Sequence, residues 1–570
     1  MRSKAVIRVR IIFGVLVLFA LVLLFRLYDV QIVNGSTYRD KGESQYVRTT
    51  GNLYDRGSIF LQDKDGTLIS GATLQTGYTV AINPSVMDHP EDAYNLLSGI
   101  LPITEEEFMS HAGKTDDPYE EIAHKVDEET AKKIQDLGVT GLNVYKDRWR
   151  FYPGDELAAH ALGFVAFDGN TLRGVYGLER YYDDILSRAD NDIYVNFFAE
   201  VFANLNKTLF DSSSESEGDV VTSIEPSVEL FLDRKLKEIQ DTWHSKLSAG
   251  IVMDPNTGEI YALGVYPSFD LNNFGDVKDI SVFTNPLVEN VYEMGSIVKA
   301  LTMAAGIDAG AVTRDTTYYD AGHIERDGFT ISNYDGKGRG TVDMEEVLKQ
   351  SLNTGAAFVE SKMGNDVFAQ YMRNYGIGEE TGIDLPNESA GLTDNLNSPR
   401  DVEYATASFG QGIAITPIAT VRALATLANG GVLVTPHLAT KIKYKNGLTK
   451  TVSFNDGKRV LQKETSDKIT QMLVEVVDKA LLGGTVKLDN YSIAAKTGTA
   501  QIARPDARGY YDDRYLHSFF GYFPAYNPRF LVFLMTVEPE GAKYASQTLT
   551  YPFMDTVKFL TNYYEVPPDR

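Results

Sequence analysis

The chain opens on an apolar run without a break. Arg2, Lys4, Arg8 and Arg10 precede it, Ile11 to Phe25 form it, and Arg26 closes it. Its 15 residues fall short of the roughly 20 that cross a bilayer. Arg26 can snorkel, and Leu27 and Tyr28 suit the interface. A cleaved signal peptide shares the basic start, but no small-x-small cleavage site follows the run. The pattern predicts a cytoplasmic tail over 1–10 and an uncleaved membrane anchor over 11–33. Basic residues before the run place everything after it outside the membrane.

From 34 to 218 short strand-like runs alternate with charged helical patterns. Thr104–His111 and Asp127–Ile134 read as helix starts with acids in the first turn. The polar run Asp211–Asp219 is the best candidate boundary. Beyond it, over 219–570, Gly250–Asp254 and Glu259–Leu263 read as strands joined by the hairpin signal Pro255-Asn-Thr-Gly258. Ile493–Thr497, His517–Phe523 and Phe530–Thr536 read as three more. The roughly 200 residues between read as mostly helical, with helices over Ile297–Ala309, Asp343–Gln350, Thr354–Met363 and Pro417–Asn429. Strands at both ends around a helical middle predict an α+β fold: one antiparallel sheet with an inserted helical half. A cleft between the two is the natural site.

With 570 residues, 43% of them hydrophobic, the chain has material for two or more domains. The absence of cysteine removes disulfides, thiolate metal sites and a thiol nucleophile. A formal net charge of -24 argues against a nucleic-acid partner. The eight histidines show no metal-ligand spacing and no Gly-x-Ser-x-Gly setting. No 20–50-residue repeat is present.

The candidate chemistry lies in three short motifs. Ser296-Ile-Val-Lys299 is the only Ser-x-x-Lys in the chain. On a helix, i and i+3 share a face, so Lys299 can reach Ser296. Apolar Val298, Ala300, Leu301 and Met303 disfavour its charge and make it a base. Gly295 suits a tight entry, and the helix N-terminus offers free N–H groups to an oxyanion. Ser351-Leu352-Asn353 falls between two predicted helices, with Asp343 and Glu346 as a capping box for the first. There Ser351 and Asn353 can face the cleft while Leu352 anchors in the core. In Lys496-Thr497-Gly498-Thr499, strand alternation puts Lys496 and Gly498 on one face and the threonines on the other. A peptide could add alongside this strand, with Gly498 leaving room for another backbone and the lysine supplying charge for a terminal carboxylate. Alone, each motif has a bland alternative: a helix-surface pair, an interhelical turn, or an edge strand with a protective lysine.

Together, in this order, they resemble the class B penicillin-binding proteins, membrane-anchored peptidoglycan transpeptidases. Arg56-Gly-Ser-Ile59, Arg148–Pro153, Ala158–Gly163 and Gly174–Glu179 resemble that family's pedestal motifs. Tyr266–Asp270 and Phe409–Ile413 resemble catalytic-domain segments. The resemblance implies a pedestal over 34–218, a transpeptidase domain over 219–570 and a five-stranded sheet. It implies that Ser296 attacks the D-Ala-D-Ala carbonyl of a stem peptide and that Lys299 takes its proton. Ser351 would relay a proton to the leaving D-alanine, and Asn353 would hold a substrate amide. Lys496 and Thr497 would bind the terminal carboxylate, beside Gly498, and the N–H groups of Ser296 and Thr499 would form the oxyanion hole. No cofactor or metal is implied. β-Lactams would acylate Ser296, and the expected partners are the lipid bilayer and a SEDS-type glycan polymerase. The expected setting is the bacterial plasma membrane and cell-wall synthesis, in division or in elongation.

The chain departs from the family at Leu352, at Met294 where proline is common, and in the longer segment after Ile59. Phe108-x-x-His111 echoes a glycosyltransferase motif, but its acids are at the wrong offset. Asp63–Gly66 is too short for a calcium loop, and Gly336–Gly340 lacks the ending of a phosphate loop. A β-lactamase, a β-lactam sensor and a scaffold with a vestigial site are the competing functions. A sensor needs several membrane spans, a secreted lactamase has no need of the pedestal, and a scaffold has no need of the intact motifs.

Overall fold

The computed structural model describes residues 53–169, 171–188, 217–454, 457–504 and 509–570. The expected tail and anchor over 1–33, and most of the boundary run from Asp211, lie outside the described residues. Among the described residues no helix is long and apolar enough to cross a membrane. The described chain divides into two compact units. One takes the residues up to Asp55 and Leu74–Trp149; the other takes Arg56–Thr73 and Arg150–Arg570.

In the smaller unit, Glu120–Val126 pairs antiparallel with the later part of the strand Leu68–Ile82. The helices Pro90–Leu97, Glu105–Ala112 and Glu128–Asp136 supply a core with Val80, Ile82, Leu97, Phe108 and Ile134. Both helix starts read from sequence are capped. Thr104 and Glu107 form a reciprocal capping box, and Asp127 accepts the Thr130 N–H.

In the larger unit five strands build the central sheet: β1 (Leu247–Met253), β2 (Ile260–Tyr266), β3 (Ala494–Ala503), β4 (Tyr510–Phe523) and β5 (Phe530–Val537). The order is β3-β4-β5-β1-β2, antiparallel throughout, and β3 is an edge. Its helices include α1 (Pro226–Trp243), α2 (Val298–Asp308), α3 (Met344–Lys349), α4 (Asn353–Met363), α5 (Pro417–Ala428), α6 (Lys463–Glu475) and α7 (Thr550–Tyr563). Leu232 and Leu236 of α1 and Phe553 and Val557 of α7 form one core with Val252, Phe519 and Leu534 of the sheet. Leu301 and Met303 of α2 belong to a second core with Ile251, Phe520 and Phe533. Strand alternation separates these two sets of sheet residues. Every residue of α2 from Val298 to Ile307 is buried, Lys299 and Thr302 among them; the rest of that stretch is apolar or glycine, as expected of a helix enclosed on all sides.

The helical middle holds more strand than its sequence pattern predicts. Between α2 and α4, Thr317–Asp320 pairs with Gly340–Asp343, and His323–Arg326 pairs with Phe329–Ser332. Each is 4 residues long and mostly exposed or half-buried, too short to show an alternation of its own. Their turns, Asp327-Gly328 and Asp335-Gly336, carry the only local signal. The expected capping box of α3 is half present. Asp343 accepts the Glu346 N–H, but the Glu346 carboxylate turns to Lys349 and Gln350 instead.

Candidate active site

Gly295 has φ +64°, a conformation that favours glycine, and it starts one turn of 3₁₀ helix, Gly295–Ile297, before α2. Ser296 therefore sits at the mouth of a buried helix, and its residue borders the cleft. Two further glycines lock this segment in place. A Cβ at Gly410 would lie 2.2 Å from Gly295 O, and one at Gly498 would lie 2.7 Å from Met294 O and 2.3 Å from Ser518 Oγ. The backbone that Gly498 admits is thus the chain's own nucleophile segment, not only a substrate's. Ser518 Oγ donates to Met294 O at 2.9 Å. Glu293 anchors the other side. Its Oε1 accepts the Gly412 N–H at 3.0 Å and the Tyr510 hydroxyl at 3.1 Å. Burial pushes its carboxyl up to about 7, against the Gly412 hydrogen bond.

Lys299 is 1% exposed. Its Nζ donates to Ser351 O at 2.6 Å and to Ser351 Oγ at 3.2 Å. Among the hydrogen bonds of the described residues none joins it to Ser296, the partner that i, i+3 spacing suggests. Lys496 Nζ donates to the same Ser351 Oγ at 2.9 Å and to Thr497 O at 3.0 Å. Two buried amines therefore meet on one hydroxyl. Burial holds Lys299 well below the ordinary lysine range, and the charge of Lys496 adds to the effect. Burial pushes Lys496 down to about 7. Both shifts follow from the cost of a cation away from water. The arrangement can keep one amine neutral as a proton acceptor beside a second that still carries charge near neutrality.

Ser351 has φ +55°, and its strained turn delivers the chain from α3 to α4. Leu352, 0% exposed, anchors it in the core as expected. Asn353 opens α4 and lines the cleft, where its Nδ2 donates to Ser332 O at 2.9 Å. Behind it stands a buried hub that the motifs did not reveal. Asp320 Oδ1 accepts from Thr354 Oγ1 at 2.8 Å and Gly322 N at 2.9 Å, while Oδ2 accepts from Arg339 N at 3.0 Å. Asn333 Nδ2 bonds both oxygens at 3.0 Å. Arg339 Nε in turn holds Gln350 Oε1 at 2.8 Å, one residue before Ser351. Asp320-Ala-Gly322 is an Asx-turn pattern, the one sequence signal that could have pointed to it.

Lys496, Thr497 and Thr499 all border the cleft because β3 is the sheet edge. The packing of Gly295 against Thr499, where a Cβ would lie 2.7 Å from Thr499 O, draws the Ser296 segment to this strand. The cleft holds about 690 Å³. Gln501, Tyr515, Lys543 and the pair Tyr334–Tyr544 continue its lining. The two tyrosine rings meet edge-on, 5.6 Å apart. Ser296, Ser351, Asn353, Lys496, Thr497 and Thr499 thus come together around one cavity, while Lys299 lies beneath it and touches it through Ser351, and Gly498 faces Met294 O and Ser518 instead. Among the described residues no group of three or more His, Asp or Glu side chains is placed to hold a metal ion.

Residues 249–557 match the family described as penicillin binding protein transpeptidase domain, and residues 54–200 match the penicillin-binding protein dimerisation domain. The chain is 30% identical to stage V sporulation protein D of Bacillus subtilis, over 97% of this chain and 85% of that protein. It is 26% identical to the peptidoglycan D,D-transpeptidase FtsI of Escherichia coli, over 76% of this chain and 71% of the other. Among solved structures, penicillin binding protein 2X of Streptococcus thermophilus shares the fold with a TM-score of 0.72 at 19% identity, over 90% of this chain and 81% of its own.

Proposed function

The chain belongs to the class B penicillin-binding proteins, and from that premise we propose that it is a peptidoglycan D,D-transpeptidase of the division or sporulation type, working through a serine acyl-enzyme. One observation carries the assignment of roles: Lys299 and Lys496 converge on Ser351 Oγ, at 3.2 and 2.9 Å, in the cleft that Ser296 borders. Ser296 is the nucleophile. Neutral Lys299 takes its proton as Oγ attacks the carbonyl between the two D-alanines of a stem peptide. Ser351, fixed between the amines, relays that proton from Lys299 to the leaving amine, giving up its own as it takes the one from Lys299. Asn353 holds a substrate amide, and Lys496 and Thr497 hold the terminal carboxylate of a peptide laid along the β3 edge. The N–H groups of Ser296 and Thr499 stabilise the oxyanion. A second stem peptide's amine then resolves the ester and makes the cross-link.

A fluorescent penicillin tests this reading. Stable labelling that is lost in Ser296→Ala supports it. Fast turnover of the label would make the protein a β-lactamase, and no labelling a scaffold.

The amines predict a bell-shaped pH profile for second-order acylation. At low pH the rate rises as Lys299 loses its proton, below the ordinary lysine range. Above about 7 it falls as Lys496 loses the charge that draws the carboxylate. Stopped-flow acylation of the free protein from pH 5 to 10 checks this. Lys496→Arg, which stays charged, is expected to remove the falling limb.

The basic residues Arg2 to Arg10 and the apolar run Ile11–Phe25 support an N-terminal anchor over 11–33 in the plasma membrane with the catalytic residues outside. Membrane fractionation with protease accessibility tests the topology. The family resemblance over 34–218 supports docking of a SEDS-type glycan polymerase, and failure to co-purify from membranes would remove that partner.

A further inference from the structure

The chain carries 78 Asp and Glu against 54 Lys and Arg, yet among the described residues the cleft lining contains Lys349, Lys496 and Lys543 and no acidic residue. Two of these lysines are occupied. Lys349 is ion-paired with Glu346, and Lys496 is turned to Ser351 and Thr497 O. Lys543 is exposed and has no carboxylate within ion-pair distance among the described residues. Its ammonium lies over the Tyr544 ring, 5.6 Å from the centroid. We propose that Lys543 is a specificity residue that holds a second carboxylate of the substrate, distinct from the terminal one assigned to Lys496. This rests on the transpeptidase reading of the same cleft.

The backbone around Lys543 is fixed. The N–H groups of Lys543 and Tyr544 both donate to Gln547 Oε1, at 3.1 and 3.0 Å. The Ala545 N–H donates to Thr499 Oγ1 at 3.0 Å, which ties the loop to the substrate-facing edge. Tyr544 meets Tyr334 edge-on, so the stem of Lys543 lies beside a rigid aromatic wall. Thr499, Gln501 and Lys543 line the same cleft, so a ligand that runs along β3 past Thr499 shares its space with this ammonium. A donor peptide with one carboxylate at its end needs only Lys496. A free cation further along an acid-free wall selects a ligand with another anion there.

Benzylpenicillin and carbenicillin differ by one carboxylate on the acyl side chain, and their second-order acylation rates on the full chain test the proposal. The readout is the ratio of the carbenicillin rate to the benzylpenicillin rate. In Lys543→Gln the ratio is expected to fall about fivefold, the worth of one partly exposed ion pair. It should fall further in Lys543→Glu, stay near wild type in Lys543→Arg, and lose its dependence on Lys543 in high salt. An unchanged ratio in both Lys543→Gln and Lys543→Glu overturns the proposal while leaving the transpeptidase reading intact. If neither penicillin acylates the wild-type chain, that reading fails first and the proposal with it.

Discussion

Lys299→Ala is expected to lower acylation by a β-lactam by about 10³-fold, within the span measured for loss of a positioned general base, while the thermal midpoint moves by no more than a few degrees. The variant removes an amine that is 1% exposed and bonded to Ser351 O and Oγ. Its alternative partner for the Ser296 proton is Lys496, already committed to Ser351 Oγ and Thr497 O. Lys299→Arg is not expected to rescue, because a guanidinium does not give up its proton at any working pH. Quench-flow with a fluorescent penicillin, alongside a melting curve, reads both quantities. If Lys299→Ala acylates at the wild-type rate, the base assignment is wrong. Lys496, pushed down to about 7 by burial, would then be the remaining candidate for the base.

That experiment also tests how proton transfer is routed. The i, i+3 spacing of Ser296 and Lys299 made a direct pair the expectation. In the fold, Ser351 from another helix junction takes the lysine's hydrogen bonds. Spacing along one helix is local and can be read from sequence, whereas a hydroxyl 52 residues away enters only through tertiary packing. The same division runs through the rest of the molecule. The five sheet strands, the capped helix starts at Thr104 and Asp127 and the buried Leu352 are legible because each is set by a short apolar run between turns, a cap or one apolar side chain. Asp320 and Asn333 are not, since they act on Thr354 across 34 and 21 residues. Gly498 was legible as a place for close backbone approach, but the neighbour, Met294 O, belongs to a segment about 200 residues earlier in the chain. The strands between α2 and α4 were missed because 4 residues cannot establish a period of two against a helical background.

Glu179→Ala is expected to cost about 3–5 kcal/mol of stability, the usual penalty for removing one partner of a buried ion pair. Glu179 is 0% exposed. Its Oε2 accepts Arg56 Nε at 2.7 Å, and its Oε1 accepts Arg150 Nε at 2.5 Å and the Tyr152 hydroxyl at 3.2 Å. Three of the segments that resemble pedestal motifs, around Arg56, Arg150 and Glu179, thus converge on one carboxylate. Removing it leaves two guanidinium groups buried together. Arg56 keeps Asp183 at 2.7 Å, while Arg150 keeps Gly57 O at 2.8 Å and meets no other carboxylate in this network. Glu179→Gln keeps the acceptor oxygen and is expected to lose less, because only the charge is removed. None of these side chains lines the cleft, so penicillin acylation per folded molecule should stay within twofold in both variants at a temperature where they remain folded. Urea unfolding combined with active-site titration separates the two quantities. A Glu179→Ala variant as stable as wild type would mean that water or a rearranged Asp183 compensates both arginines. The convergence of the three segments would then no longer be explained by stability, and a role in presenting surface to a partner would be the explanation to pursue.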